Sequence, residues 1–374
     1  MRLIRGCLAA LLALLFLLVA YPVQALSQPP ETSARAALLM EATTGKVLYE
    51  RNAQQKLPMA STTKVMTALL AIEIGNLDEM VTTDATAYGV EGSSIYLQME
   101  ETISLRDLVY GLMLASGNDA AVAIAVHIGH GIKQFAAMMN AKARQLGAVN
   151  TNFVTPNGLP NADHYTTAYD LTLIAAAAMQ NETFREIVST QYYRAETGAV
   201  VRTFKNKNKI LWNYAGGNGV KTGYTKAAGR CLVFAAERDG MQLVGVVLDC
   251  PDMFKEAETL LDYGMNHYEM VPMVSGGDRV ASIFVDGGMK NRLALCAAED
   301  IMVPVEKNES SQYRTRVILP DSLAAPVHQG ETCGYVEVLE ENGALRTRFD
   351  LVAEEDIDEA TVRFYIEKLA RFLA

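Results

Sequence analysis

The chain has 374 residues, half of them hydrophobic, with 43 acidic against 33 basic side chains and a formal net charge of −10. That length points to two domains. The acidic balance argues against nucleic-acid partners, which need clustered Lys and Arg to meet phosphates; the densest basic cluster, Lys205, Lys207 and Lys209, reads as a solvated loop.

In chain order, Arg2 and Arg5 precede an apolar run over residues 7–20 that ends in Val23-Gln24-Ala25. This is the pattern of a secretory signal cleaved after Ala25, and it implies an exported protein. Residues 36–50 read as a β-hairpin, with two apolar stretches flanking Thr43-Thr44-Gly45. A helix follows over residues 61–74, stopped by Gly75, with apolar residues nearly all round it, as expected of a buried helix. Ser104 and Asp107 resemble a capping box that opens a helix over 105–114. Ser116-Gly117-Asn118 breaks the chain before a second apolar helix over 119–128. Thr167, answered by Asp170, caps a helix over 168–179. Two strands at 230–236 and 242–248, joined through Asp239-Gly240, then complete an arrangement of terminal strands around a helical middle. The expected fold class is α+β, one antiparallel sheet with helices packed on it.

A helix begun near Phe254 is expected to run to Met270. Beyond it, short β-like runs at 281–285, 292–296, 314–319, 334–339 and 346–352 read as a small all-β domain. At the C-terminus, Val362, Tyr365, Ile366, Leu369, Phe372 and Leu373 share one helical stripe opposite Arg363, Glu367, Lys368 and Arg371. Such a helix either lies in a membrane interface or packs on its own protein. Cys231, Cys250, Cys296 and Cys333 fit no metal spacing; pairing of 231 with 250 and of 296 with 333, or four buried thiols, are both open readings. His127 and His130 lack a third ligand at helical spacing and read as structural, His164 as a loop or supporting residue, and no metal or cofactor is called for.

Three motifs carry chemistry: Ser61-Thr62-Thr63-Lys64, Ser116-Gly117-Asn118 and Lys221-Thr222-Gly223. Each is weak alone, but their joint occurrence in this order is not expected by chance. Ser61 and Lys64 lie one turn apart on one helix face, so an amine kept neutral by burial can take the proton of the hydroxyl. At a helix start the Ser61 N–H is unpaired within the helix and can face an oxyanion. Ser116 at the break can relay a proton to a leaving amine, and Asn118 can hold a substrate amide or Lys64. Lys221 and Thr222 can take a carboxylate by charge and hydrogen bond, while Gly223 lets a substrate backbone approach closely.

With these motifs in view, the chain resembles the low-molecular-mass penicillin-binding proteins, the D-alanyl-D-alanine carboxypeptidase family. The similarity extends through residues 37–46, Leu57-Pro58-Met59-Ala60-Ser61, Asn157-Gly158, residues 164–168 and residues 260–264, and is strong over roughly residues 35–270. It implies a penicillin-binding-protein/β-lactamase-like transpeptidase domain. The expected division is a signal peptide at 1–25, a D,D-peptidase domain at 26–270, a β-rich domain at 271–352 and an amphipathic C-terminal helix at 353–374. By this resemblance Ser61 is the acylated nucleophile and Lys64 its base. Ser116 and Asn118 assist proton transfer and placement, and Lys221, Thr222 and Thr225 hold the terminal carboxylate. The N–H groups of Ser61 and Tyr224 would form the oxyanion hole. The implied partners are the D-Ala-D-Ala end of the peptidoglycan stem peptide and β-lactam antibiotics. Arg230 and Cys231 depart from the family's usual aromatic or small residue after the third motif. A class A β-lactamase would carry Glu-x-x-Leu-Asn between the second and third motifs, and none occurs between Asn118 and Lys221. A D,D-endopeptidase would use the same machinery, and a non-catalytic wall-binding protein would keep the fold.

Overall fold

The computed structural model describes residues 29–307 and 313–373; the expected signal segment lies outside the described residues. The β1 strand (Ala36–Glu41) is buried throughout, so both of its faces must be covered. Its alternating side chains feed two separate cores, as the two-residue period of a strand requires. Leu38 and Met40 enter one apolar cluster and Ala37 and Leu39 another. Gly45, at φ +69°, turns the chain into β2 (Val47–Arg51), which pairs antiparallel with β1.

The other strands of this sheet come from much later in the chain. They are β7 (Gly217–Thr225), β8 (Gly229–Arg238) and β9 (Met241–Leu248), and the order β2-β1-β9-β8-β7 is antiparallel throughout. Asp239 and Gly240, both at positive φ, make the turn between β8 and β9, as Asp-Gly does in tight hairpins. The expected sheet of terminal strands around a helical middle is the one observed. Two small hairpins, β3 (Met80–Thr82) with β4 (Thr102–Ser104) and β5 (Tyr192–Ala195) with β6 (Arg202–Lys205), lie outside it.

Six helices pack on one face of the sheet: α1 (Lys64–Ile74), α2 (Leu105–Tyr110), α3 (Asn118–Gly129), α4 (Ile132–Gln145), α5 (Ala168–Gln180) and α6 (Glu182–Ser189). Residues Lys64 through Ala71 of α1 are all buried, which fits its lack of a polar face. Ser104 Oγ accepts from the Asp107 N–H and Thr167 Oγ1 from the Asp170 N–H, so both expected caps form. Each such cap contributes about 1 kcal/mol. Past Tyr110 the helix widens into a π-turn, Gly111–Ala115, and stops at Ser116 in the left-handed region.

The opposite face is covered by α8 (Met253–His267), through Ala257, Leu260, Leu261 and Met265, with the one-turn α7 (Ile210–Asn213) beside it. The α8 helix was expected to reach Met270. It ends at His267, and Tyr268–Val274 is instead β10, paired with β13 (Ile301–Glu306), because strand pairing there satisfies the backbone that the helix would have used.

Residues beyond 267 build a β-rich region with its own core of Leu293, Leu295, Val303, Val336, Val338 and Leu351. Its larger sheet holds β11 (Arg279–Asp286), β12 (Arg292–Ala297), β14 (Tyr313–Ile318), β15 (Leu323–Ala324), β16 (Thr332–Glu340) and β17 (Leu345–Ala353). Four of the five runs expected from sequence fall within one of these strands, and the run at 314–319 overruns β14 by one residue; β10, β13 and β15 are additional. The last helix, α9 (Val362–Leu373), leaves Val362, Tyr365, Ile366 and Leu369 more than half exposed. No helix among the described residues is long and apolar enough to cross a membrane.

The four cysteines among the described residues, Cys231, Cys250, Cys296 and Cys333, are free and buried. Cys231 and Cys250 belong to the cores on opposite faces of the sheet, which is why neighbours in the chain fold do not pair.

Candidate active site

Ser61 sits in a single 3-10 turn, Ala60–Thr63, that leads into α1. Ala60 has φ +49°, a left-handed conformation that a residue with a Cβ adopts only at a cost. Its carbonyl shows what holds it there. Thr63 Oγ1 donates to Ala60 O at 2.8 Å, and Gly158 is packed so closely that a Cβ on it would lie 1.9 Å from the same oxygen. Thr63 Oγ1 is itself met by His164 Nε2 at 2.8 Å. Because His164 Nδ1 accepts the Val154 N–H at 2.9 Å, the ring is neutral with its proton on Nε2. Burial drives the His164 pKa down to about 4, in keeping with that tautomer.

Lys64, one turn on, is completely buried. Its Nζ lies 2.8 Å from Ser61 Oγ, 2.6 Å from Asn118 Oδ1 and 2.9 Å from the Asn157 carbonyl. Burial first, and then the positive charges of Lys221 and Lys207, lower its pKa well below the usual lysine value, while Asp119 opposes them.

Asn118 opens α3, and its Nδ2 donates to Glu91 O at 2.6 Å, so it ties Lys64 to the loop between β3 and β4. That loop is clamped twice more. The Asp119 carboxylate accepts from Ser94 Oγ and from the N–H groups of Ile95 and Leu97. The Arg202 guanidinium, almost fully buried, grips Glu101 at 2.6 and 2.7 Å and also donates to Ile95 O and Tyr96 O. Ser116 is buried at φ +66°, and among the described residues its hydroxyl makes no hydrogen bond.

The third motif lies on β7, the edge of the sheet. A Cβ on Gly223 would stand 3.1 Å from the Ser61 and Thr62 backbone nitrogens, so glycine leaves room beside the Ser61 N–H. Lys221 is buried, with Nζ donating to Thr222 O at 2.9 Å. Burial, then repulsion from Lys207, takes its pKa down to about 7. Thr222 and Thr225 are half-buried, Tyr224 is exposed, and Thr225 Oγ1 accepts the Ala228 N–H. A cleft of about 530 Å³ opens here, walled by Met59, Ala60, Gly158, Leu159, Tyr165 and Thr225.

The three motifs therefore meet: the first two at the Lys64 amine, the third where β7 passes Ser61. The motifs alone did not reveal the Asn157 carbonyl, the His164–Thr63 link, or the Asp119 and Arg202–Glu101 clamps. A polar residue in an otherwise apolar run, such as Asp119, was the available signal. Lys207 lies exposed in the loop after β6, as expected, and from there its Nζ donates to Ala115 O at 2.7 Å beside Ser116, between the buried Asn206 and Asn208.

A helical cluster on an antiparallel sheet, with Ser61 in the turn that opens its buried helix, Lys64 at the start of that helix and an edge strand alongside, defines a serine enzyme of the penicillin-recognising type. The comparisons agree. Residues 23–252 match the family model described as D-alanyl-D-alanine carboxypeptidase, and residues 268–359 match the penicillin-binding protein 5 C-terminal domain. D-alanyl-D-alanine carboxypeptidase DacF of Bacillus subtilis is 32% identical, with 87% of this chain and 86% of that protein aligned. DacC of Escherichia coli is 31% identical over 96% of this chain and 92% of its own. Penicillin binding protein 5 from Haemophilus influenzae, at 31% identity, superposes with a TM-score of 0.67 over 88% of this chain and 99% of its own. The chain belongs to the D-alanyl-D-alanine carboxypeptidase family.

Proposed function

We propose that this chain removes the terminal D-alanine of peptidoglycan stem peptides through an acyl-enzyme on Ser61, and that β-lactams acylate the same serine. The stoichiometry at Lys64 carries this reading. A neutral amine has two N–H donors and one lone pair. Asn118 Oδ1 and the Asn157 carbonyl can only accept, so they take both donors. The lone pair is left for the third neighbour, the Ser61 hydroxyl at 2.8 Å.

From this the steps follow. Lys64 takes the Ser61 proton as Oγ bonds to the carbonyl carbon of the scissile amide. The resulting oxyanion is met by the Ser61 and Tyr224 N–H groups. As the C–N bond breaks, the proton passes from Lys64 through Ser116 to the departing D-alanine amine. Water, deprotonated by Lys64, then hydrolyses the ester and restores Ser61. Lys221, Thr222 and Thr225 hold the D-alanine carboxylate, and Asn118 positions both Lys64 and the substrate amide.

The exposed apolar stripe of α9 supports a second element of the proposal, that an exported enzyme rests on the outer face of the membrane through this helix. Ile357 is buried and bonded to Val327, so a fair truncation falls after Ala360. The shortened enzyme should no longer sediment with anionic vesicles; unchanged sedimentation would remove the membrane role.

The catalytic proposal is tested by Lys64→Ala. D-Alanine release should fall by about a hundred- to ten-thousandfold, the range of a positioned general base. Activity retained in a folded variant would rule out Lys64 as the base.

A further inference from the structure

A further cleft, of about 630 Å³, is lined by Lys205, Asn206, Lys207, Lys209, Trp212 and Asn213. Among the described residues none of its three lysines is in an ion pair, although the chain as a whole is acidic. The amines rest on rings instead: Lys205 Nζ is 5.2 Å from the centre of Trp212 and 5.5 Å from that of Tyr192, and Lys209 Nζ is 5.6 Å from that of Phe254. Tyr192 and Trp212 meet edge to face and are both partly exposed. A cation over an exposed ring keeps N–H donors turned to solvent and is held only weakly. Lys207 joins this cleft to the second motif, since its amine is bonded to Ala115 O, next to Ser116, and its charge reaches Lys64 and Lys221.

We propose that this cleft is a second subsite, in which Lys205 and Lys209 take carboxylates of an acidic peptide while Tyr192 and Trp212 pack against its apolar stem. Unpaired cations set on an aromatic wall fit a ligand that carries negative charge and a covalent backbone together. The continuity through Lys207 makes that ligand a more distant part of the peptide whose end reacts at Ser61. The inference rests on the peptidase reading for the identity of the peptide, but its test does not depend on turnover.

Trp212 is the single tryptophan of the chain, so its emission reports on this cleft alone. A stem peptide with free side-chain carboxylates is titrated into full-length Ser61→Ala enzyme, which binds without hydrolysis, and compared with the same peptide amidated. We expect a saturable change in emission with the acidic peptide and about tenfold weaker binding after amidation. A similar loss is expected in Lys205→Gln/Lys209→Gln, as for two partly exposed ion pairs. No saturable change, equal affinity for both peptides, wild-type affinity in the double variant, or displacement by inorganic phosphate at equal concentration would each overturn the proposal. Acylation of the Ser61 enzyme by benzylpenicillin, followed separately, tells a failure of the peptidase reading from a failure of this one.

Discussion

The chemistry at residue scale turns on two buried lysines of the same charge. In the proposed mechanism Lys64 must be neutral to act, and its burial together with Lys221 and Lys207 favours that form. In the same mechanism Lys221 must be charged to hold a carboxylate, yet without that partner burial takes its pKa down to about 7. The two requirements predict a bell. Its acid limb reports proton loss from Lys64, and its basic limb proton loss from Lys221. In kcat/KM, which reports the free enzyme, the basic limb should fall near pH 7. In kcat the bound carboxylate should move that limb upward, because a neighbouring anion favours the ammonium. A full pH profile of both constants checks this; a basic limb at the same pH in both would contradict the assignment to Lys221. His164 predicts a different dependence, of stability. Its pKa in the fold is about 4 against an ordinary 6.5. Between those values the unfolded chain binds a proton that the folded one does not, so the stabilisation present above pH 6.5 is lost as the pH falls toward 4. The loss is on the order of 3 kcal/mol. Denaturant unfolding across this range should show a steeper loss for wild type than for His164→Gln.

At the scale of elements, the turn before α1 is held by its neighbours rather than by its own preferences. Gly158, at φ +84°, stands against the Ala60 carbonyl, so Gly158→Ala both strains the loop and pushes the turn that bears Ser61. It should lower stability by about 1–3 kcal/mol and reduce the rate of β-lactam acylation; native acylation in a melt-matched sample would mean that the turn does not need this contact. The sequence made the elements around this turn readable because each carries a local cause. The all-apolar α1, the Ser104 and Thr167 caps and the Asp-Gly hairpin are decided by near neighbours. The three motifs were equally readable, being short and contiguous. What spacing could not show is built across long separations: Asn157 reaching Lys64, His164 reaching Thr63, Arg202 reaching Glu101. The end of α8 was missed for the same reason, since the partner that makes Tyr268–Val274 a strand is β13, some thirty residues on.

Over the whole molecule, the proposed site depends on a sheet that joins β1 and β2 to strands from residues 217–248. Strand β1 follows the N-terminus while β7 to β9 come from residues 217–248, and the cleft lies where β7 passes the start of α1. The strand that carries the third motif is therefore placed by pairings between segments far apart in the chain. The β-rich region keeps a separate core, so substitutions there should alter thermal unfolding of that region with little effect on kcat. Combining Val336→Ala with the D-alanine release assay would show whether the two are separable, a fall in kcat being the contrary result. The predictions about catalysis presuppose that Ser61 becomes acylated. The direct measurement is the intact mass of the protein over time after benzylpenicillin is added, with Ser61→Ala in parallel. A long-lived increase by the mass of one penicillin on the wild type alone is the predicted result, and an adduct on Ser61→Ala, or none on the wild type, would contradict it.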